Sequence, residues 1–94
     1  MDNPERDEHG YPTERTLEAI AEWSYEDFDG LVDFVGRIWN WTDCWRVDGK
    51  KLCAVTGGWS GNESLIGALQ QNFVFWTMCW QASYRSGKFE FELP

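Results

Sequence analysis

The residues best suited to chemistry lie in Thr56–Ser64, TGGWSGNES, where a serine and a glutamate stand among three glycines. A nucleophile elbow has the pattern G-x-S-x-G, but Asn62 occupies its fifth position here. A catalytic serine also needs a base, and the single histidine, His9, lies in a polar N-terminal segment. The sequence therefore predicts no catalytic residue and a protein that is not an enzyme.

The same glycines could hold an anion through backbone N–H groups at the start of a helix. A phosphate loop of the GxxxxGK[ST] type needs a lysine after its glycines, and none follows here. A small-ligand- or anion-binding loop is therefore the alternative function. Its candidate residues are Gly57, Gly58, Ser60, Gly61, Asn62 and Arg85.

Ser60 and Glu63 also match the S-x-x-E capping box, in which each side chain bonds the other residue's free backbone N–H. This spacing predicts that the glycine-rich stretch connects a strand to a helix, with Asn62 as an alternative cap. Trp59 then has two interpretations. It is either an exposed contact residue for a partner or a side chain folded inward over the sheet edge.

Acidic residues are concentrated at the start of the chain. Residues 1–33 hold eleven acids and two bases, a charge of −9, whereas residues 34–94 carry +1. Such a field disfavours direct binding to nucleic acid or to an anionic membrane. Glutamates recur every four residues, at Glu14, Glu18, Glu22 and Glu26. On one helix they would form a ridge that imitates a phosphate backbone, or simply a solvated face. With Trp59, they are the candidate interaction residues.

Cysteine usage indicates neither a metal site nor a cofactor. Cys44, Cys53 and Cys79 are an odd number without a CxxC pair, and one histidine cannot complete a zinc site. No apolar run is long enough to span a bilayer, and the first ten residues lack a basic and apolar leader. We expect a cytoplasmic protein without membrane contact.

Two helices are predicted in the first half of the chain. Residues 1–12 are predicted to be a flexible acidic tail and residues 13–94 a single domain. Leu17 and Ile20 lie on one face of a helix over residues 14–23. A second helix over residues 24–39 is predicted to begin at Ser24 as its N-cap.

Asp48-Gly49 is a strong signal for a two-residue hairpin turn, because both central positions of a type I′ turn need positive φ. This turn would place Trp45 opposite Leu52 on the core face and Cys44 opposite Cys53. A disulfide between these two cysteines is geometrically allowed. In a reducing cytosol we expect free thiols.

A second hairpin is predicted around Ser86-Gly87. Its apolar pairs are Tyr84–Phe89, Ala82–Phe91 and Trp80–Leu93. The alternation extends the strand back through Met78 and Trp76. Because a slip of one residue would mix apolar with polar side chains, the register is expected to be well specified. These apolar side chains are predicted to be core, since the chain lacks the basic groove of a base-stacking platform.

These elements predict an α+β domain. Two N-terminal helices pack on a mainly antiparallel four-stranded sheet, and its two hairpins are joined by a short helix.

The back of the chain, residues 56–94, resembles a recurrent segment of small uncharacterised phage and prophage proteins. The matching residues are Gly57-Gly58-Trp59-Ser60-Gly61-Asn62-Glu63, Phe75-Trp76, Cys79-Trp80, Ser83, Arg85 and Gly87. The resemblance implies a phage or prophage setting and carries over no activity. It suggests, by association, the inhibition of host machinery.

We therefore expect a small acidic, non-enzymatic protein of the bacterial host's cytoplasm. It binds a host or phage protein and inhibits host nucleic-acid-handling or defence machinery.

Overall fold

Four α-helices, one short 3₁₀ helix and four strands make up residues 2–94, the part of the chain that the computed structural model describes. The elements are α1 (Glu14–Ala21), α2 (Phe28–Ile38), the 3₁₀ helix (Thr42–Cys44), β1 (Trp45–Asp48), β2 (Lys51–Val55), α3 (Ser60–Gln71), α4 (Phe73–Cys79), β3 (Trp80–Ser83) and β4 (Lys88–Glu92).

The strands form one antiparallel sheet in the order β1-β2-β4-β3. This confirms the predicted α+β class, the four-stranded antiparallel sheet and the presence of two N-terminal helices. The finer expectation that one short helix joins the hairpins is wrong, because α3 and α4 both lie between them. One face of the sheet packs into the core through the buried side chains of Leu52, Ala54 and Phe91.

The two N-terminal helices start at side-chain caps. The Thr13 hydroxyl accepts from Thr16 N at 3.2 Å to begin α1. The Asp27 carboxylate accepts from Gly30 N at 3.0 Å to begin α2. The predicted cap at Ser24 is wrong, since its hydroxyl accepts from Glu26 N in a preceding turn. Asp27 also brings a negative charge to the positive end of the helix dipole.

The first hairpin turns one residue later than predicted. Asp48 pairs with Lys51, so Gly49 and Lys50 form the loop, and Trp45 lies opposite Ala54 rather than Leu52. The predicted Cys44–Cys53 pair is also wrong, because Cys44 ends the 3₁₀ helix and Cys53 pairs with Arg46. Both thiols are free. Each side chain of this hairpin still lies on its predicted face of the sheet. The pairing partners have shifted by two residues, and side chains alternate between the faces with period two.

The second hairpin departs further from the prediction. Ser83 lies opposite Phe89, Ala82 opposite Glu90 and Trp80 opposite Phe91, with a bulge between Trp80 and Ala82. The loop accounts for the first part of the shift, because Tyr84 N donates to Lys88 O at 2.9 Å and three residues rather than two separate the strands. The bulge inserts one further residue and shifts the pairing of Trp80 by one more. The strand also starts at Trp80, because the residues before it belong to α4.

The N-terminal segment packs against the domain. Glu5 N donates to the buried Thr16 hydroxyl at 2.8 Å, and Arg6 Nη2 donates to Ile38 O at 3.2 Å. Tyr11 meets the Trp59 ring edge-on, with ring centroids 5.1 Å apart. Flexibility of residues 1–12 stays a prediction, and Met1 lies outside the described residues.

Candidate protein-interaction surface

Helix α4 occupies a segment that the alternation of Trp76, Met78 and Trp80 predicted as a strand. Asn72, whose side chain is buried, starts the helix by accepting from Phe75 N at 3.2 Å. Its Nδ2 donates to two backbone carbonyls at the end of α1, Ile20 O at 2.9 Å and Trp23 O at 3.1 Å. One carboxamide therefore fixes both the start of α4 and its position beside α1.

Only one face of α4 joins the core. Phe75 and Cys79 are fully buried, four residues apart, and Trp76 is half-buried against Phe91 with ring centroids 5.5 Å apart. The rest of the helix faces outward. The α4 patch consists of Phe73 (76% exposed), Val74 (41%) and Met78 (51%) on the helix and Trp80 (41%) just after it.

Three exposed side chains correct the expected core. Met78, Trp80 and Tyr84 were predicted to point inward but are each 41% exposed or more. Phe91 is buried and Phe89 is half-buried against the core, as expected. The helix explains the difference. A strand would place Met78 and Cys79 on opposite faces with Met78 inward, whereas the helix buries Cys79 together with Phe75 and leaves Met78 at the edge of that face, exposed to solvent.

The sequence around the α4 patch carries no charged side chain. Residues 64–84 contain no Asp, Glu, Lys, Arg or His, although the chain as a whole is 26% charged. A helix that is apolar all round is normally buried. Here Phe73 has three-quarters of its surface in solvent. Contiguous apolar surface of this kind marks interaction sites.

An acidic groove runs between α1 and α3. Glu14, Glu18 and Glu22 line one side, and Ser64 and Gln71 contribute to the other, around a volume of about 880 Å³. Among the described residues, no Lys, Arg or His nitrogen lies within 4.0 Å of these three carboxylates. Each helical step of four residues separates them by ~6 Å along α1.

The fourth glutamate of the predicted ridge lies elsewhere. Helix α1 ends at Ala21, Glu22 is its C-cap, and Glu26 stands in the turn before α2. At the other end, the groove leads toward the α4 patch. Gln71 lines the groove, and Phe73 follows two residues later. The acidic groove and the apolar patch therefore adjoin at the Asn72–Trp23 contact.

The glycine-rich stretch starts a helix without the predicted capping box. Trp59 is the N-cap of α3 and supplies no side-chain hydrogen bond. Ser60 is the first helical residue, and its hydroxyl donates to the Tyr11 hydroxyl at 3.0 Å. Because Ser60 lies inside the helix rather than at its cap, its hydroxyl is out of register with the free amides of the first turn.

Asn62 holds this loop instead. Its fully buried side chain accepts from Asn40 N at 2.9 Å and donates to Asn40 O and Thr56 O, each at 3.2 Å. The sequence pattern indicates only a helix cap or a ligand-binding role for Asn62. A buried amide spanning 22 residues of sequence leaves no local pattern by which it could be recognised.

Aromatic rings lie against two of the three glycines proposed for an anion site. Gly57, at φ +64°, lies under Trp41, so that a Cβ there would stand 2.9 Å from Trp41 Cε3. The half-buried Trp59 lies over Gly61, so it is neither a fully exposed side chain nor one fully folded into the core. Gly58 is exposed. Ligand binding by this loop stays a prediction.

Arg85 lies on the turn that contacts the glycine-rich stretch. It is exposed between β3 and β4, and this turn meets the stretch where Thr56 N donates to Gly87 O at 3.0 Å. The structure thus places the turn of Arg85 next to the first residue of the proposed loop.

Two side chains on and beside the sheet have raised pKa values. Burial raises the pKa of the Cys79 thiol to about 11, so it stays protonated. A hydrogen bond to Glu90 raises the pKa of the exposed Tyr84 hydroxyl, which donates to Glu90 Oε1 at 2.9 Å. Within residues 2–94, no group of three or more His, Cys, Asp or Glu side chains could hold a metal ion.

No helix within residues 2–94 combines the length and apolarity that a membrane crossing requires. No protein-family model, curated protein or solved structure matches this chain.

Proposed function

We propose that this chain is a small non-enzymatic protein of phage type that acts by binding a partner protein. The observation that carries the proposal is the exposed outer face of α4. Phe73, Met78 and Trp80 are large side chains of the kinds enriched at interface centres. The phage setting rests on the resemblance of residues 56–94.

The α4 patch supplies about half of a standard interface. A whole aromatic side chain presents roughly 150–250 Å². With the exposures of its four members, the patch offers on the order of 400 Å². A stable interface takes about 800 Å² from each partner. The partner must therefore reach beyond the patch, and the acidic groove is the adjoining surface.

The acidic groove selects the class of partner. Glu14, Glu18 and Glu22 form a row of exposed carboxylates, and no Lys, Arg or His nitrogen of residues 2–94 lies within 4.0 Å of them. A basic surface would gain charge complementarity there and associate faster. Proteins that handle nucleic acid carry such basic surfaces. We propose that the partner is a nucleic-acid-handling protein of the bacterial host, which the chain inhibits by covering its basic surface.

Capture from a bacterial lysate tests the proposal when matched variants are compared. The protein captured by the wild-type chain should be lost with Phe73→Ser/Met78→Ser, which removes apolar area from exposed positions only. Capture should be weaker, and should lose its dependence on salt, with the variant Glu14→Gln/Glu18→Gln/Glu22→Gln. Thermal unfolding of each variant checks that the fold is retained.

The control is Tyr84→Ser, which removes a half-exposed aromatic ring on the other face of the sheet, where Tyr84 bonds Glu90. Capture should be unchanged in this variant. Capture of a protein without nucleic-acid-binding activity would contradict the proposed partner class. Capture that ignores both sets of substitutions, or no capture at low salt, would contradict the proposed function.

A further inference from the structure

A second groove, of about 510 Å³, runs between α2 and β1. Strand β1 is an edge of the sheet, since β2 is its only neighbour in the strand order of the described residues. Helix α2 contributes side chains spaced by three and four residues, which lie on one helix face. Those that matter here are Asp29, Val32 and Asp33.

The floor of this groove is apolar and its far end is closed. Val32 and Leu93 are almost fully buried beneath it, and Val47 of β1 is 52% exposed along its side. At the other end Trp45 lies on Gly36 of α2, where a Cβ would stand 2.7 Å from Trp45 Nε1. The helix and strand are thus in contact at one end and separate toward Val47.

The backbone of β1 offers hydrogen bonds along this groove. Asp48 and Lys51 close a two-residue loop, which makes them a hydrogen-bonded pair. Because such pairs alternate in an antiparallel ladder, the N–H and C=O of Val47 point away from β2. No inter-element backbone hydrogen bond found within residues 2–94 involves Val47.

We infer that this groove binds an extended segment of a partner protein, added as a fifth strand beside β1. Addition of a strand to a sheet edge gives main-chain hydrogen bonds, and every second side chain enters a pocket. Apolar side chains would lie over Val32 and Leu93. This site is separate from the α4 patch and does not depend on the partner proposed there.

Charge selects a basic segment. Asp29 has no cation within 4.0 Å among the described residues, whereas Asp33 Oδ2 lies 3.0 Å from Arg37 Nη2. Arg37 is further occupied, since its Nη1 donates to Asn3 Oδ1 at 2.8 Å. The free carboxylate on the rim therefore favours Lys or Arg in the segment, alternating with apolar residues.

Selection from a random octapeptide display library tests the inference. Enriched peptides should alternate apolar with basic residues. A synthetic version of an enriched peptide, titrated into the protein, should shift the NMR amide signals of Val47 and Val32. Val47→Pro, which an edge strand tolerates but which removes the outward N–H, should weaken binding about five-fold or more. Val47→Thr keeps that N–H and should bind within about two-fold of wild type.

Further variants separate this site from the other surface. Asp29→Lys should weaken the binding of basic peptides about five-fold or more. Phe73→Ser/Met78→Ser should leave peptide affinity unchanged. No enriched peptide, or peptide shifts confined to the α4 patch, would overturn the inference. Sedimentation showing a dimer that Val47→Pro abolishes would also overturn it, because the occupant would then be a second copy of the chain.

Discussion

Asn62 and Asn40 are joined by two hydrogen bonds across 22 residues of sequence. Asn40 N donates to Asn62 Oδ1 at 2.9 Å, and Asn62 Nδ2 donates to Asn40 O at 3.2 Å. The same Nδ2 reaches Thr56 O. This buried amide fixes the strand-to-helix connection to the end of α2, and it leaves Ser60 without a capping role.

Replacing Asn62 by Ala should therefore destabilise the fold. The substitution removes three hydrogen bonds and leaves the N–H of half-buried Asn40 and the carbonyl of buried Thr56 without this partner. Such losses cost about 2–3 kcal/mol in the free energy of unfolding. Urea denaturation measures this change in the free energy of unfolding. The control Ser60→Ala should cost under ~0.5 kcal/mol, because it loses one exposed bond. If Ser60→Ala costs more than Asn62→Ala, the capping box is the correct account.

Two glycine substitutions should act in opposite directions. Gly57→Ala places a Cβ against the Trp41 ring at a positive φ, and should cost about 2 kcal/mol of unfolding free energy. Gly67→Ala, inside α3 with nothing within 4 Å, should stabilise by up to ~1 kcal/mol because alanine favours the helix. The melting temperatures of the two variants test this pair, and a neutral Gly57→Ala would contradict the close contact.

Cys79 should resist alkylation in the folded protein. Its burial raises the pKa of the thiol to about 11. At pH 8 about one thiol in a thousand would then be ionised. Cys44 and Cys53 are half-exposed and should react first with iodoacetamide. Mass spectrometry with and without urea distinguishes the sites. Native-state labelling of Cys79 at the rate of Cys53 would contradict its burial.

The turn formed by residues 7–11 should loosen in acid. The Asp7 carboxylate accepts from Tyr11 N and His9 N, and these bonds lower its pKa below 3.8, the Tyr11 bond most. The stabilisation is present above pH 3.8 and is lost as pH falls through the lower folded value. An NMR titration of the Tyr11 amide should therefore show a midpoint below 3.8. The Asp7→Asn variant should lack this titration, and a wild-type midpoint at or above 3.8 would refute the turn geometry.

The sequence was sufficient for the class of fold and for the two faces of the first hairpin. Alternation correctly places Leu52 and Ala54 on the core face, but it repeats every two residues. It could not distinguish a turn at Asp48-Gly49 from one at Gly49-Lys50, since Gly49 supplies positive φ in either turn. The register of the second hairpin differs from the prediction because its loop holds three residues, 85–87, and because β3 carries a bulge; alternation predicts neither feature.

Helix α4 was missed because a short apolar run fits both periods. Trp76, Met78 and Trp80 alternate as a strand would, while Phe75 and Cys79 are spaced as on a helix. Asn72 before Phe73 is a cap signal that could have found this helix. The candidate interaction residues of the sequence, Trp59 and the glutamates, did not include the α4 patch, which becomes visible only once the helix is known.

Calorimetry tests most directly the central claim that the partner binds at the α4 patch. It compares the affinity of the captured partner for wild type and for Phe73→Ser/Met78→Ser. Loss of two exposed apolar side chains at the centre of an interface should weaken binding at least ~30-fold. Tyr84→Ser, outside the patch, should change it less than ~2-fold. Equal affinity of wild type and the double variant, with both folded, would show that the partner does not bind at α4.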